Sequence, residues 1–284
     1  MIKKELTVTE NCELIKALNQ DLGLNFVEIK KILRKGDVKV NNKKVKENIF
    51  LNGGDYVVCY IEERKIEVIY KDENVLIVNK PKKLETISQN NTEDLTALLQ
   101  KKYTYCMPCH RLDFNTSGLC VFALNKLAEN EMLNAFKEGN IEKRYLALTG
   151  GDAKKSEVLE AYLIKNSEFS QVKICSNAQP NAAKIKTEYI LIEKINKEIN
   201  LIEVILHTGK THQIRAHLAF NNMPVLGDRK YGDKILNNKY NKHTQCLVSY
   251  SLKFYFSPSS LLHYLSNKKI ILTENKTKKL KIKE

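Results

Sequence analysis

Residues 110–119 read HRLDFNTSGL, and this stretch is the most informative part of the chain. It places the carboxylate of Asp113 two positions after the guanidinium of Arg111, and the turn-forming residues 115–118 lead into an apolar strand at residues 119–124. A single carboxylate on a tight loop beside a cation can act as a nucleophile or as a base. The nearby sequence offers no second carboxylate, no His-x-x-x-His pair and no glycine-rich phosphate loop. It therefore lacks the local motifs of a carboxylate-pair hydrolase, a zinc site and a nucleotide-phosphate site.

Three further segments occur in an order that matches a known pattern. They are YKDENVLIVNKP at residues 70–81, KRYLAL at residues 143–148, and LHTGKTHQIRAHLAFNNMPVLGDRKYG at residues 206–232. Together with residues 110–119 they resemble the RluA family of RNA pseudouridine synthases, and the resemblance covers residues 67–256. One position departs from the family, which usually has Arg where Lys210 stands. Lysine keeps the charge but lacks the planar fork that grips a phosphate with two hydrogen bonds.

The resemblance implies a role for several residues in converting uridine to pseudouridine. Asp113 is the expected catalytic residue, and the sequence leaves open whether it attacks C1′ of the ribose or removes a ribose proton. Arg215 is expected to pair with Asp113 from a helix predicted for residues 211–220. Arg111 is expected to fill the space that a flipped uridine vacates, and Tyr145 to stack on the flipped uracil. Lys210 is expected to contact phosphate, and an isomerisation requires no cofactor.

Other side chains invite different interpretations. Lys143 and Arg144 are expected to contact phosphate rather than take part in the chemistry. His207, His212 and His217 are spaced by five residues, which places His212 and His217 about 140° apart on a helix, so we predict no metal site. The lone CxxC motif of residues 106–109 lacks the second pair that a zinc site needs, and a chain with seven cysteines favours no disulfide framework.

The sequence predicts two domains of the α+β class. Residues 66–284 form the expected pseudouridine synthase catalytic domain, whose alternating segments predict a mixed, largely antiparallel sheet. Hairpins are predicted at residues 68–79 and 189–206, a helix at residues 128–137, and strands at residues 145–149 and 247–256. From residue 267 onward, seven lysines and two glutamates form a basic C-terminal tail that we expect to be frayed or loosely bound.

Residues 1–62 are predicted to form a separate small α+β domain. Asn25 and Glu28 predict a capping box at the start of its second helix, and Gly36 predicts the end of that helix. The segment RKGDVKVNNKKV at residues 34–45 resembles the alpha-L RNA-binding module of a ribosomal protein from the small subunit. The resemblance implies RNA binding by the basic side chains of the second helix, which are Lys30, Lys31, Arg34 and Lys35.

Composition points to a polyanionic partner. The 284-residue chain has a formal net charge of +14, and 43% of its residues are hydrophobic, which is enough for a real core. The first ten residues lack an apolar run of signal-peptide length, and no later stretch is long enough to cross a membrane, so we expect a cytoplasmic protein. The expected partner is RNA: we favour large-subunit ribosomal RNA or a pre-ribosomal particle and leave transfer RNA open. The expected state is a monomer.

Two other functions compete with uridine isomerisation. The first is a non-catalytic RNA-binding or ribosome-assembly protein on the same fold, and the intact set of Arg111, Asp113, Tyr145 and Arg215 argues against it. The second is a nucleic-acid glycosylase, which also flips bases and uses a carboxylate. A glycosylase releases free base, whereas a synthase leaves the mass of the RNA unchanged.

Overall fold

The computed structural model describes residues 1–62, 65–88, 93–166 and 171–273. These residues divide into two compact units, one made of Met1–Ile66 with Glu85–Lys102 and the other of Glu67–Leu84 with Tyr103–Glu284. The segment Glu85–Lys102 thus groups with the N-terminal residues, although the sequence boundary at residue 66 assigns it to the second domain. The backbone amide of Glu93 donates to the carbonyl of Gly23 at 2.9 Å, which ties this segment to the first unit.

In its described residues, the first unit combines short strands with three helices. Its elements are β1 (Ile2–Thr7), β2 (Cys12–Glu13), α1 (Leu14–Gln20), α2 (Phe26–Lys35), β3 (Val38–Val40), β4 (Lys43–Val45), β5 (Phe50–Leu51), β6 (Tyr56–Ile61) and α3 (Leu95–Gln100). An antiparallel sheet has the strand order β1-β6-β3-β4, and β2 pairs with β5. The helix α3 has no counterpart among the sequence predictions.

Local capping explains why α2 begins and ends where the sequence predicts. The Asn25 side chain accepts from the amides of Val27 and Glu28, and the Glu28 side chain accepts from the Asn25 amide. Gly36 then adopts a left-handed conformation with φ 71°, which glycine tolerates without steric cost. The capping box and the glycine end are therefore both confirmed. The apolar face of α2 packs into the core of this unit through Ile29, Ile32 and Leu33.

The second unit is built on a large mixed sheet. Its elements are β7 (Glu67–Lys71), β8 (Val75–Lys80), β9 (Met107–Pro108), β10 (Ser117–Ala123), α4 (Lys126–Glu138), β11 (Ile141–Thr149), β12 (Ser156–Asn166), β13 (Gln171–Cys175), β14 (Ala183–Lys194), β15 (Asn200–Leu206), α5 (Gln213–Phe220), α6 (Lys234–Lys239), β16 (Leu247–Phe254), a 3-10 turn (His263–Leu265) and β17 (Lys269–Ile271). The strand order is β13-β12-β14-β15-β11-β16-β10-β8-β7, with β9 beside β10 and β17 beside β16.

Pairing in this sheet is antiparallel except between β10 and β16, as far as the described residues go. The predicted fold class, α+β with a mixed and largely antiparallel sheet, is confirmed. The parallel pair depends on Gly118, which has φ 118° and approaches β16 so closely that a Cβ would lie 2.0 Å from the Ser249 carbonyl oxygen. Only glycine fits such an approach, and it carries the chain directly from the residue 113–116 turn into the sheet.

Two predicted elements differ from the structure. The helix predicted for residues 211–220 begins at Gln213, because His212 adopts a left-handed conformation with φ 53°. The Gln213 side chain accepts from the Lys210 amide at 3.0 Å and from the Thr208 hydroxyl at 2.9 Å, which closes residues 208–213 into a turn. The tail predicted to be frayed begins with β17, which pairs with β16. The sequence EERK at residues 62–65 predicts a short linker between the two domains, and its residues 63–64 lie outside the described part of the chain, as do residues 274–284.

The core of the second unit lies between the sheet and α4. Leu119, Val121 and Ala123 of β10 join Ala128 and Met132 of α4 in one buried cluster. None of the helices in the described ranges has the length and apolar character needed to cross a bilayer.

Candidate active site

Asp113 sits on the short turn that precedes β10. The turn is closed by a hydrogen bond from the Thr116 amide to the Asp113 carbonyl, 3.0 Å long. The buried Gln245 side chain donates to the Thr116 hydroxyl, which ties the turn to the residues just before β16. The Asp113 side chain itself is 24% exposed, so a carboxylate held on a fixed turn remains reachable from solvent.

Arg215 projects from α5 toward this carboxylate. Its Nη1 donates to Asp113 Oδ2 at 2.7 Å, although the two residues lie 102 positions apart in sequence. The Arg215 side chain is only 8% exposed, and a helix is a rigid mount for such a contact. The structure thus brings together the carboxylate and the cation that the sequence pairs, and their catalytic roles stay predictions.

Asp228 occupies the other side of the same guanidinium. Its Oδ2 accepts from Arg215 Nε at 2.5 Å, and its Oδ1 accepts from Nη2 at 2.9 Å. Oδ1 also accepts from the backbone amide of Lys230 at 2.8 Å, so the carboxylate is fixed from two directions. Burial alone would raise the pKa of Asp228, but these hydrogen bonds and the Arg215 charge hold it below its ordinary value. The sequence reasoning missed Asp228, although it falls within the GDRKYG end of the last quoted segment.

Arg215 therefore carries a strongly held charge between two carboxylates. Burial alone would lower the pKa of Arg215, but Asp228 and then Asp113 raise it above its ordinary value. The Tyr231 ring covers the guanidinium with its centroid 5.2 Å from the central carbon, another contact that sequence reasoning missed. Asp113 is thus paired with a permanently charged guanidinium, and Asp228 fixes the orientation of that guanidinium.

These side chains open into a cavity of about 430 Å³. Tyr145 of β11 is one of its walls and is 6% exposed, and burial raises the pKa of its phenol above the ordinary value. Arg111 and Lys210 also line the cavity but are exposed side chains. The lining contains one carboxylate among the described residues, Asp113, against five cations, which are Arg111, Lys137, Lys143, Lys210 and Arg215. The cavity thus favours an anionic ligand.

The structure separates two basic residues that the sequence treats alike. Lys143 lines the cavity, whereas Arg144 bonds Glu142 through Nε and Glu203 through Nη1, both at 2.7 Å. Successive residues of a strand point to opposite faces of the sheet, which is why the two side chains part. Arg144 is thus already paired within the protein, unlike a residue reserved for phosphate.

The histidines have separate surroundings. His212 Nε2 lies 4.0 Å from Asp113 Oδ2, and burial lowers the pKa of His212. The buried His217 bonds the Thr187 hydroxyl through Nδ1 at 3.0 Å, and the exposed His207 bonds Glu188 at 2.9 Å. No group of three His, Cys, Asp or Glu side chains in the described ranges is arranged to hold a metal ion. All seven cysteines are free thiols, and burial raises the pKa of Cys106 to about 12.

Comparison with known proteins identifies the family. A family model described as RNA pseudouridylate synthase matches residues 74–220, and that range contains the Asp113 turn, Tyr145 and Arg215. The chain belongs to the RNA pseudouridylate synthase family. The pseudouridine synthase resemblance noted in the sequence is thereby confirmed, and the protein is an RNA-modifying enzyme that isomerises uridine.

Individual relatives support the assignment of this pseudouridine synthase to its family. An uncharacterized RNA pseudouridine synthase from Mycoplasma capricolum subsp. capricolum is 34% identical over 272 residues, covering 86% of this chain and 87% of that protein. A ribosomal large subunit pseudouridine synthase C from Vibrio parahaemolyticus is 30% identical over 230 residues, covering 72% of this chain and 71% of that protein. The solved structure of human RNA pseudouridylate synthase domain containing 1 shares the fold, with a TM-score of 0.63, 23% identity, and coverage of 78% and 89% of the two chains.

The basic residues predicted to bind RNA in the first unit all lie on the exposed face of α2. Lys31 and Lys35 each bond Glu62 at 2.7 Å, and Lys30 lies over the Phe26 ring at 5.0 Å. These two bonds lower the pKa of Glu62 to about 2. Two of the four cations on this helix, Lys31 and Lys35, are therefore paired with a carboxylate of the same protein, whereas the exposed Lys30 and Arg34 form no ion pair among the described residues.

Proposed function

We propose that this pseudouridine synthase isomerises specific uridines of large-subunit ribosomal RNA, with Asp113 as its catalytic carboxylate. The observation that carries the proposal is the ion pair between Asp113 and Arg215, 2.7 Å long, at the wall of a cation-lined cavity. Relatives named ribosomal large subunit pseudouridine synthase C, at 30% identity over 72% of this chain, support the choice of RNA. We also propose that the protein is a cytoplasmic monomer. Its substrate would be the free ribosomal RNA or the same RNA within a pre-ribosomal particle.

The proposed reaction breaks the bond between C1′ and N1, turns the uracil, and joins C1′ to C5. N1 gains a proton and C5 loses one, so substrate and product are isomers and no other reactant is consumed. Asp113 serves either by attacking C1′ or by removing a ribose proton, and both roles need a carboxylate fixed at the sugar. Arg215 fixes it in both cases, because preorganised charge costs no rearrangement when the reaction occurs.

The other predicted site residues each contact a different part of the RNA. Tyr145 offers an aromatic face to the flipped uracil, since such stacking contributes about 1–3 kcal/mol per base. Arg111, exposed at the cavity, enters the space that the uridine leaves in the RNA. Lys210 contacts the backbone, and residues 1–62 serve as an alpha-L type module whose helix α2 adds phosphate contacts through Lys30, Lys31, Arg34 and Lys35.

The loss of the C5 proton gives a direct test. Unmodified large-subunit ribosomal RNA labelled with tritium at uridine C5 is incubated with wild type and with Asp113→Asn. We expect release from wild type alone, while Asp113→Asn keeps its RNA affinity within several-fold. A near-normal rate for Asp113→Asn would remove Asp113 from the mechanism.

The same assay separates the alternatives. Release from pooled transfer RNA but not from ribosomal RNA would overturn the proposed substrate and keep the enzyme. Free uracil among the products would indicate a glycosylase. Tight RNA binding without release from either RNA or from pre-ribosomal particles would favour a non-catalytic ribosome-assembly protein.

A further inference from the structure

Lys143 is a buried cation at the wall of the active-site cavity. It is 7% exposed and lies on β11 two residues before Tyr145, so both side chains point to the same face of the sheet and both line the cavity. Its ammonium lies 5.9 Å from the Phe136 ring centroid. Gly209 is a neighbour of this ammonium, since a Cβ at Gly209 would lie 3.6 Å from Lys143 Nζ, an ordinary van der Waals distance.

Lys143 has no anionic partner among the described residues. In the part of the chain that the structure describes, Lys143 forms neither a hydrogen bond nor an ion pair. Burial lowers the pKa of Lys143, and its charge adds to burial in lowering the pKa of the neighbouring His110. A desolvated charge without a partner costs several kcal/mol, so a protein keeps one only where something compensates it.

Two other buried cations of the same unit show what compensation looks like. Arg215 has both Asp113 and Asp228 within hydrogen-bonding distance. Lys80, which is 0% exposed, donates to the backbone carbonyls of Leu84 at 2.6 Å and Pro81 at 3.1 Å. Lys143 has neither kind of partner in the described residues, and the space in front of it is the substrate cavity.

We propose that Lys143 is a binding site for one phosphate of the substrate RNA, adjacent to the flipped uridine. This inference rests on the proposed function, since it takes the cavity to hold a nucleotide of RNA. A neutral uracil carbonyl cannot balance a full buried charge, whereas a phosphodiester oxygen carries one. Lysine binds phosphate as a compact point charge, and the ammonium of Lys143 lies beside Phe136 and Gly209 at the cavity wall. The exposed Lys210 and Arg111 remain screened by water and contribute less to this contact.

Salt dependence of binding tests the proposal directly. A phosphate contact adds about 0.7–0.9 to the slope of log affinity against log salt, whereas a contact with an uncharged base adds nothing. Labelled ribosomal RNA fragments are titrated with wild type, Lys143→Met and Lys143→Arg. Lys143→Met is expected to bind about tenfold more weakly, with a slope smaller by about 0.7. Lys143→Arg is expected to keep the wild-type slope, and an unchanged slope for Lys143→Met would overturn the proposal.

Lys197→Met is the matched control. Lys197 is an exposed lysine in the turn between β14 and β15, it does not line the cavity, and its removal changes the net charge by the same amount. We expect wild-type affinity and slope from it. An equal loss in both variants would mean that only overall charge matters, and Lys143 would lose its assignment.

Thermal unfolding provides a readout that needs no RNA. Removing an unpaired buried charge is expected to leave the melting temperature of Lys143→Met at or above that of wild type. Inorganic phosphate is expected to stabilise wild type and Lys197→Met more than Lys143→Met. A fall of several degrees in Lys143→Met would show that the ammonium has a structural role instead. Equal stabilisation by phosphate in all three proteins would show that phosphate does not bind at Lys143. Absence of tritium release from wild type would contradict the proposed function. The salt slopes of RNA binding would still test the phosphate site separately.

Discussion

Asp228 holds the Arg215 guanidinium in place without lining the cavity. It is not among the cavity-lining residues, and its side chain is 0% exposed. By bonding Nε and Nη2 of Arg215, it leaves Nη1 to face Asp113. A guanidinium held along one edge can turn only a little, so Asp228 is a positioning residue for the Asp113 carboxylate.

Asp228→Asn is expected to slow the reaction while RNA binding changes little. The amide cannot accept both Arg215 hydrogen bonds, and a misplacement near 1 Å can cost about 100-fold in rate. We expect kcat to fall about 10- to 100-fold with KM within several-fold of wild type, measured by tritium release. Breaking a buried pair should also lower the free energy of unfolding by about 3–5 kcal/mol.

A structural carboxylate nearby serves as the control for Asp228. Asp233 caps α6 by accepting from the amides of Ile235 and Leu236, and it does not contact Arg215. Asp233→Asn, a mild change of cap, should leave kcat unchanged at temperatures where both variants are folded. Equal kcat losses in the two variants would reduce Asp228 to a general stability residue.

Tyr145 provides a second test at the level of a single side chain. Phenylalanine keeps the aromatic face, so Tyr145→Phe should bind RNA as wild type does. Tyr145→Ala should weaken binding by about 1–3 kcal/mol, because the platform is gone. Both affinities are measured under conditions where circular dichroism shows folded protein, since a 6% exposed tyrosine also supports the core. If alanine is as harmless as phenylalanine, the base stacks elsewhere.

Elements were predictable where their ends are encoded locally. The ends of α2 follow from Asn25, Glu28 and Gly36, all within or next to the helix. The start of α5 does not, because Gln213 is anchored by the Lys186 carbonyl at 3.1 Å, a residue 27 positions away. The contact between Asp113 and Arg215 spans 102 positions. Neither periodicity nor capping reports such a contact, so only the family resemblance indicated it.

The helix α2 yields a prediction that compares its four cations in pairs. Lys31 and Lys35 share Glu62, whereas Lys30 and Arg34 have no ion pair among the described residues. The double variant Lys30→Gln with Arg34→Gln should therefore lower the salt slope of RNA binding by about 1.4–1.8. Lys31→Gln with Lys35→Gln should lower it less, because Glu62 already offsets part of that charge.

Fluorescence anisotropy at several salt concentrations measures both slopes. The Asp113→Asn background prevents turnover during the titration. Substitution is preferable to deleting residues 1–62, because Glu85–Lys102 belongs to the same compact unit and would lose its packing. Identical slopes in both double variants and wild type would rule out RNA binding through this helix.

At the scale of the whole molecule, the fold followed from the order of four motifs. Hairpins such as β7 with β8 and β14 with β15 were predicted because their strands are adjacent in sequence. The parallel pair of β10 with β16 joins segments about 130 residues apart, as Ser117 with Val248, and no local pattern encodes it. Strands β12 and β13 and the helices α3 and α6 were likewise not predicted.

Buried histidines set how the stability of the molecule depends on pH. Burial lowers the pKa of His110 to about 3 and that of His217 to about 4, whereas an unfolded histidine titrates near 6.5. His110 Nε2 accepts from the Val121 amide at 3.1 Å, which only a neutral ring can do. Below pH 6.5 the unfolded chain thus binds protons that the native protein refuses, so the free energy of unfolding must fall as the pH falls.

Each histidine should contribute a loss of about 1.4 kcal/mol per pH unit below 6.5, so urea unfolding at pH 5 should give a value about 4 kcal/mol lower than at pH 7. The lowered pKa of Asp228 adds almost nothing between pH 7 and pH 5. A carboxylate with a lowered pKa loses its stabilising effect only as the pH falls below its unfolded pKa near 3.9. Because glutamine does not titrate, His217→Gln should remove a large part of this pH dependence. Equal stability of wild type at pH 7 and pH 5 would mean that the protein opens enough to protonate both rings without unfolding.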